Sequence, residues 1–411
     1  MKKASRILAM LLVLAMVFAL CACGADTAPA AAGSAPASSG SSAPAADDGV
    51  AKTNRVIGTN QLLLGAYALD IITTAARQVT DICGDTLQVA NDEGNVEKII
   101  ADVENFIAAD VDAIFWWGLL ETNFAVGPQK AEAAGIPIAF PDKIPPEGEL
   151  TDNVRNMSMF AGGVGCEDYS AGVNLATYAL SIGCTKALIG GAEIGDTTHE
   201  PRIEGFTKVF TEGGGEIING GTYRGSASDA SAQAAIDNLI AAHPEADVFF
   251  GSGGDYALYA ISACKTYGRE DMKVLAVDIQ PDLLPYLFDG SLSAGCGAHW
   301  VSGMYAMIML ENYLDGCPML DKDGKVARPR NMPLIVVPAE MADLYERFWI
   351  DEFPYEEDEI KALLYRSNPD VTFEDLQAVI SSYSMEDRLI AKYNAGKVTA
   401  EELAAVGITV D

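Results

Sequence analysis

The chain has 411 residues, 49 % of them hydrophobic, and carries 58 Asp and Glu against 27 Lys and Arg for a formal net charge of −31. The apolar share is enough to build more than one buried core. The acidity leaves no cluster of Lys and Arg to meet phosphates, which excludes a nucleic-acid partner; otherwise it reads as a solvated surface.

At the start, Lys2, Lys3 and Arg6 precede an unbroken apolar run over residues 7–20, which ends in "LCAC" at 20–23. A positive region, a short apolar region and small residues before a cleavage point make an export signal, too short for a mature membrane span. "LCAC" resembles a bacterial lipoprotein box. The resemblance implies a signal peptide over 1–22, lipid attachment at Cys23 and a membrane partner through that lipid, on the extracytoplasmic face. Residues 23–52 are rich in Ala, Ser, Pro and Gly and hold almost no large apolar side chain, so they read as a flexible tether. The later cysteines, Cys83, Cys166, Cys184, Cys264, Cys296 and Cys317, show neither a CxxC spacing nor a histidine at ligand distance in the sequence. That excludes a zinc site and favours packing as small apolar residues; a Cys166–Cys184 disulfide stays open.

From Arg55 onward, short β-rich runs alternate with amphipathic helical windows. "RVIGT" (55–59) leads to a helix over 66–82, "TLQVA" (86–90) to one over 96–109, and "DAIFWW" (112–117) to one over 123–134. "IPIAF" (136–140) then ends at Pro141-Asp142. A second series opens with "NMSMF" (156–160) and a helix over 169–182. It continues with "KALIGG" (186–191), "GEIING" (215–220), "ADVFFG" (246–251) and "KVLAVD" (273–278), with helices over 202–212, 232–242, 256–267 and 283–288 between and after them. Such alternation predicts parallel strands with right-handed helical crossovers, here in two lobes of similar size. The strands end in Gly, Asp or aromatic residues, where open α/β sheets place ligands. The glycine clusters 190–191 and 251–254 lack the G-x-G-x-x-G form and read as tight turns rather than a nucleotide cradle. Residues 346–411 lack strand runs, and "TFED" (372–375), "SMED" (384–387) and "TAEE" (399–402) are capping-box patterns, so the chain ends in a helical extension.

Two of the four tryptophans stand side by side at 116 and 117. Neighbours on a strand point to opposite faces, which assigns Trp116 to packing and Trp117, the last residue before Gly118, to a ligand face.

The blocks "AADVDAIFWWG", "AEAAGIPIAFPD", "RIEGFTKVF" and "IDNLIAAHPEADVFFGSGGDYALYAISACKTYG" with "KVLAVD" resemble, in order and spacing, those of class I periplasmic substrate-binding proteins of ABC importers, the ribose-binding-like group. The resemblance runs from about Arg55 to Pro338. It implies an α/β fold of two Rossmann-like parallel-sheet lobes joined by three crossovers. The first lobe would hold residues 53–155 and 299–328, and the second 156–298 and 329–345. The family's ligand positions fall on Asp142, Lys143, Arg202, Asp278 and His299. Its first-lobe aromatics are matched loosely by Tyr67 or by Asn60 and Gln61. Gly253 stands where an amide donor is expected, and Lys143 lacks the planar fork of the arginine usual at its position. Carboxylates accept sugar hydroxyls, cations donate to them and aromatics cover the ring, so a sugar is the expected ligand. Trp117 argues for one larger than a pentose.

The expected function is that of a monomeric, lipid-anchored receptor that delivers a sugar to ABC permease subunits, with no cofactor, no metal and no catalysis. A sensory receptor for a signalling partner and an anchored glycosidase are the alternatives. Neither His199 nor His243 has a sequence partner at ligand spacing, and both read as ordinary polar residues.

Overall fold

The computed structural model describes residues 51–410 except 66, 146, 229 and 230; the export signal, Cys23 and the tether up to residue 50 lie outside the described residues. The first sheet holds β1 (Val56–Gln61), β2 (Thr86–Asn91), β3 (Ala113–Phe115), β4 (Ile138–Asp142) and β5 (Phe160–Gly165) in the order β2-β1-β3-β4-β5, all parallel. Strands β3 to β5 are buried on both faces, whereas the edge strand β2 alternates, with Thr86, Gln88 and Asn91 exposed. On one face Phe115, Ala139 and Ala161 join the cluster formed with the helices Tyr67–Cys83 and Ser302–Leu314. On the other face Ile114, Trp116, Ile138 and Phe140 meet Ile99, Val103 and Phe106 of the helix Lys98–Ala108.

The second sheet holds β6 (Lys186–Gly191), β7 (Glu216–Arg224), β8 (Val248–Gly251), β9 (Lys273–Val277), β10 (Ala294–Gly297) and β11 (Ile335–Pro338). Its order is β11-β10-β9-β8-β6-β7, parallel except for the antiparallel edge pair β10–β11. This is the two-lobed α/β architecture expected from the sequence.

The strand expected at 156–160 is displaced. It starts at Phe160, runs to Gly165 and pairs with β4, so it completes the first sheet and the second lobe begins about ten residues later than expected. The reason is close packing against glycines: a Cβ on Gly162 would stand 2.5 Å from Met309 Cε, and one on Gly165 2.8 Å from Ile144 Cγ1. "FAGGVG" is therefore a strand without β-branched alternation. Residues 302–314 form a helix packed on Tyr67–Cys83, β4 and β5. The crossing segments pair with each other: Gly165 N donates to Pro329 O (2.8 Å) and Glu167 N to Met332 O (3.2 Å). The third crossing runs from β10 through Ala298 into the helical turn His299–Val301.

The C-terminal extension is helical. Thr372 with Asp375 and Thr399 with Glu402 form reciprocal capping boxes, and the Ser384 hydroxyl accepts from Asp387 N (3.0 Å). It packs through buried side chains: Asn312 Nδ2 donates to Leu363 O (2.8 Å), and the hydroxyls of Tyr305 and Tyr355 meet. The six described cysteines are free thiols, so no Cys166–Cys184 disulfide forms. Among the described residues no helix is long and apolar enough to cross a membrane.

Candidate functional site

The C-terminal ends of the strands deliver the chemistry. Asp142 ends β4 at φ 58° and Asp278 follows β9 at φ 75°, both in the left-handed region that few non-glycine residues adopt, aspartate more readily than most. Strain of this kind clusters where side chains must be aimed, and here it turns one carboxylate from each lobe out of its strand.

Asp142 is the centre of the first-lobe side. Trp117 Nε1 donates to its Oδ2 (3.4 Å), the Cys166 thiol lies 3.4 Å from Oδ1, and His299 Nε2 stands 3.8 Å from Oδ1. Burial and the carboxylates Asp142 and Asp168 push the Cys166 thiol well above its ordinary value, so it is a neutral donor. Trp116 is 0 % exposed, edge-on to Phe124 and Phe140, with its indole N–H on Ile99 O (3.1 Å); Trp117 is half-buried beside Asp142.

Lys143 reaches across to the second lobe. Its ammonium pairs with Asp168 (3.1 Å), the first residue of the helix Asp168–Ser181, and donates to Thr198 Oγ1 (3.3 Å). Asp168 also accepts from Arg202 Nε (2.8 Å), while Arg202 Nη1 donates to Ser252 O (3.0 Å) and to Asp278 Oδ2 (3.4 Å). Burial alone would lower the Lys143 pKa, but Asp142 and Asp168 raise it above its ordinary value. Burial would raise Asp168, yet Arg202 and Lys143 hold it low. All three groups are therefore charged at neutral pH. A cavity of about 330 Å³ opens beside them, lined by Asp142, Lys143, Cys166 and Asp168 among others, and one of about 400 Å³ opens on the second lobe beside His199, Gly253 and Asp278.

Asp168, His199 and Ser252 were not legible as site residues. Asp168 acts only because the crossover brings its helix to the cleft. His199 lies one turn before Arg202, a spacing that would have placed both on one helix face. Its Nδ1 stands 2.9 Å from Ser252 Oγ; burial and Arg202 lower its pKa, so the ring is neutral. The Ser252 hydroxyl is boxed in, since a Cβ on Gly191 would come within 2.6 Å of it, and so it is not presented to a substrate as a nucleophile. Gly253 lies against the same wall: a Cβ there would meet His199 Cε1 at 3.0 Å, a tight contact that the imidazole would have to yield to.

One expected position serves differently. Asn60 is buried and spends its amide inside the lobe, accepting from Trp117 N (3.0 Å) and donating to Asp92 Oδ2 (3.1 Å), so it supports Trp117 instead of facing the ligand. The Tyr67 hydroxyl and His299 Nδ1 are buried without a hydrogen-bond partner, and burial pushes the Tyr67 phenol up to about 12.

Behind Asn60 lies a buried acid pair. Asp92 Oδ1 and Asp102 Oδ2 lack other partners, and burial together with the hydrogen bond that protonated Asp92 makes to Asp102 pushes Asp92 up to about 7, with Asn60 and Lys98 opposing. Between pH 4 and 7 the folded protein thus holds a proton there that the unfolded chain has released. Stability should fall as pH rises through that window, by at most about 1.4 kcal/mol per pH unit from this group. Urea unfolding of the wild type and of Asp92→Asn should show the extra slope in the wild type alone; parallel pH profiles would rule the shared proton out.

Two α/β lobes, three crossovers and facing charged strand ends define a hinged binding protein. The chain belongs to the periplasmic binding protein family: the model of the periplasmic binding protein domain matches residues 66–316. It is 23 % identical over 219 residues to the ribose import binding protein RbsB of Escherichia coli, covering 53 % of this chain and 71 % of that one. Among solved structures, a periplasmic ribose ABC transporter protein of Conexibacter woesei shares the fold with a TM-score of 0.61 at 18 % identity, over 73 % of this chain and 97 % of that one. A solute binding protein of Actinobacillus succinogenes with bound D-allose aligns with a TM-score of 0.60 at 20 % identity, over 71 % of this chain and all of the other, 100 %.

Proposed function

We propose that this chain is an extracytoplasmic receptor, held to the membrane by lipid on Cys23, that captures an uncharged sugar between its lobes and delivers it as a monomer to an ABC importer. The observation that carries this reading is the pair Asp142 and Asp278, one from each lobe, both turned out of their strands in left-handed backbone. Each carboxylate accepts two hydroxyl hydrogens, Lys143 and Arg202 stand beside them as donors, and Trp117 offers an apolar face. The two cations are already paired with Asp168 and Asp278, which leaves no surplus positive charge for a sugar acid or a sugar phosphate. Ligand contacts from both lobes favour the closed state, and the closed state is the one presented to the permease.

The test is calorimetric titration with D-ribose, L-arabinose, D-allose, D-galactose and myo-inositol. At least one should saturate with a Kd of about 10 μM or tighter, close to −7 kcal/mol. Trp117→Ala should weaken that binding at least tenfold while leaving the melting midpoint near the wild-type value. Failure of the whole panel to saturate at millimolar concentration would refute the sugar reading.

A further inference from the structure

The C-terminal extension reaches the ligand cleft. Two turns carry His299 and Asp278 into it, and each is held from behind through a backbone carbonyl. Tyr383 donates to Ala298 O (3.0 Å) and Tyr345 donates to Ile279 O (3.3 Å), both in buried contacts. Trp349 joins the two: its indole N–H donates to the Tyr383 hydroxyl (2.8 Å), and its ring stacks on Tyr345 with centroids 5.7 Å apart. Trp349 and Tyr383 belong to the part of the chain beyond residue 316, where the family match ends. The turns they reach are strained. Ala298 sits at φ 59°, a conformation that alanine rarely keeps unless neighbours enforce it, and Asp278 at φ 75°, which aspartate reaches at lower cost.

We infer that Tyr345, Trp349 and Tyr383 form an aromatic bracket whose function is positional: it holds the Ala298 and Asp278 turns so that His299 and Asp278 face the ligand. The inference rests on reading the cleft as the ligand site. Its reach to the ligand groups is short. Ala298 immediately precedes His299, whose Nε2 stands 3.8 Å from Asp142, and Ile279 immediately follows Asp278, which pairs with Arg202. Removing a hydroxyl from the bracket frees a carbonyl in a buried place and leaves a strained turn without its restraint. Tyr383→Phe keeps the ring packing, so the loss is confined to the two hydrogen bonds of the hydroxyl, to Ala298 O and from Trp349 Nε1.

The test uses the full chain without ligand. Hydrogen exchange followed by mass spectrometry should show peptides covering 297–302 exchanging at least tenfold faster in Tyr383→Phe than in the wild type, and peptides covering 277–280 doing so in Tyr345→Phe. Peptides in β1 to β4 should be unchanged. The second arm repeats the comparison in an Ala298→Gly background. Glycine takes positive φ without strain, so the turn no longer depends on the hydroxyl, and the effect of Tyr383→Phe should shrink to less than threefold. Trp349→Phe, which keeps an aromatic ring but loses the indole N–H, should reproduce the first result at 297–302.

An equal effect in both backgrounds would assign Tyr383 to general packing and overturn the inference, as would unchanged exchange or a rise spread over all peptides. Since no sugar is present, these outcomes are independent of the titration panel. A failed panel with a tenfold, glycine-rescued effect would remove the sugar and leave the bracket.

Discussion

Arg366→Ala is expected to lower the unfolding free energy by about 3–5 kcal/mol, the range for stripping one partner from a buried ion cluster. Arg366 lies in the extension with a side chain 6 % exposed, and it grips Asp315 with two nitrogens (Nε to Oδ2 2.7 Å, Nη2 to Oδ1 2.9 Å) while Nη2 also reaches Glu311 Oε2 at 2.7 Å. Glu311 is 0 % exposed and has Arg55 as its other cation, at 3.2 Å. Cys83, Asp85 and Glu311 approach within 4.8 Å of one another, a spacing that would suit a metal ion, but the counter-charge is already supplied by the two guanidiniums. Without Arg366, Glu311 and Asp315 share the Arg55 guanidinium alone, in a place where water does not reach Glu311, whose carboxyl is pushed up to about 8 by burial and by Asp85. Because Glu311 sits on the helix Ser302–Leu314 and Asp315 just after it, the same change removes one of the fastenings of the extension to the first lobe, beside those at Asn312 and Tyr305. Urea unfolding checks the prediction. The triple variant Arg366→Met, Glu311→Gln, Asp315→Asn should recover part of the loss, since it removes three of the charges together and leaves, of the two guanidiniums, only Arg55, the more exposed cation. A change below about 1 kcal/mol for Arg366→Ala, the scale of an exposed pair, would show that the cluster is solvated.

How much of this was legible follows from the physics of each segment. The strand "ADVFFG" could be read because β-branched and aromatic residues fill both buried faces of a parallel sheet, "KALIGG" from its short apolar run, and "TLQVA" from the alternation of an edge strand. The two glycine strands could not. β5 and β10 owe their form to what lies on them: Met309 and Ile144 over β5, and Ile279 over Gly295, where a Cβ would come within 2.5 Å of Ile279 Cγ1. Those contacts are long-range and leave no periodic trace. The helix Ser302–Leu314 is buried on nearly every side, so it lacks the amphipathic stripe by which helices are recognised. The capping boxes of the extension were legible because a cap is a local hydrogen-bond pattern of four residues. At the site, Asp142 and Asp278 were legible as strand-end acids, and the alternation of a strand separates Trp116 from Trp117. Asp168 was not, since nothing near "CEDYSAG" says that a lysine from the other lobe and an arginine from the next helix will converge on it.

That convergence sets the second large effect. Arg202→Lys should cost about 2–3 kcal/mol of stability, the scale of a lost buried hydrogen bond to a charged group, and should weaken sugar binding far more than the loss of charge would suggest, because no charge is lost. Arg202 is 4 % exposed and serves three acceptors in different directions: the Asp168 carboxylate, the Ser252 carbonyl and Asp278. Its backbone is fixed by helix contact, since a Cβ on Gly172 would come within 1.9 Å of Arg202 O. A lysine ammonium is a single point at the end of a flexible stem. If it sits on Asp168, the Ser252 carbonyl loses its donor and Asp278 its cation. If it moves toward Asp278, the buried Asp168 is left to Lys143, which then holds the lobes together through an unshared pair. The pH dependence separates the two arrangements. Arg202 and Lys143 hold the folded Asp168 below its ordinary pKa, so its contribution is present above about pH 4 and is lost as pH falls through the lower folded value. In Arg202→Lys that loss should begin at higher pH if the ammonium has left Asp168, and should stay in place if it has not. Urea unfolding at pH 3 to 6, with titration of whichever panel sugar binds the wild type, distinguishes these outcomes. A variant as stable as the wild type that binds the sugar at least tenfold more weakly would assign Arg202 to the ligand alone, whereas equal stability with equal binding would show that the three-way grip is dispensable.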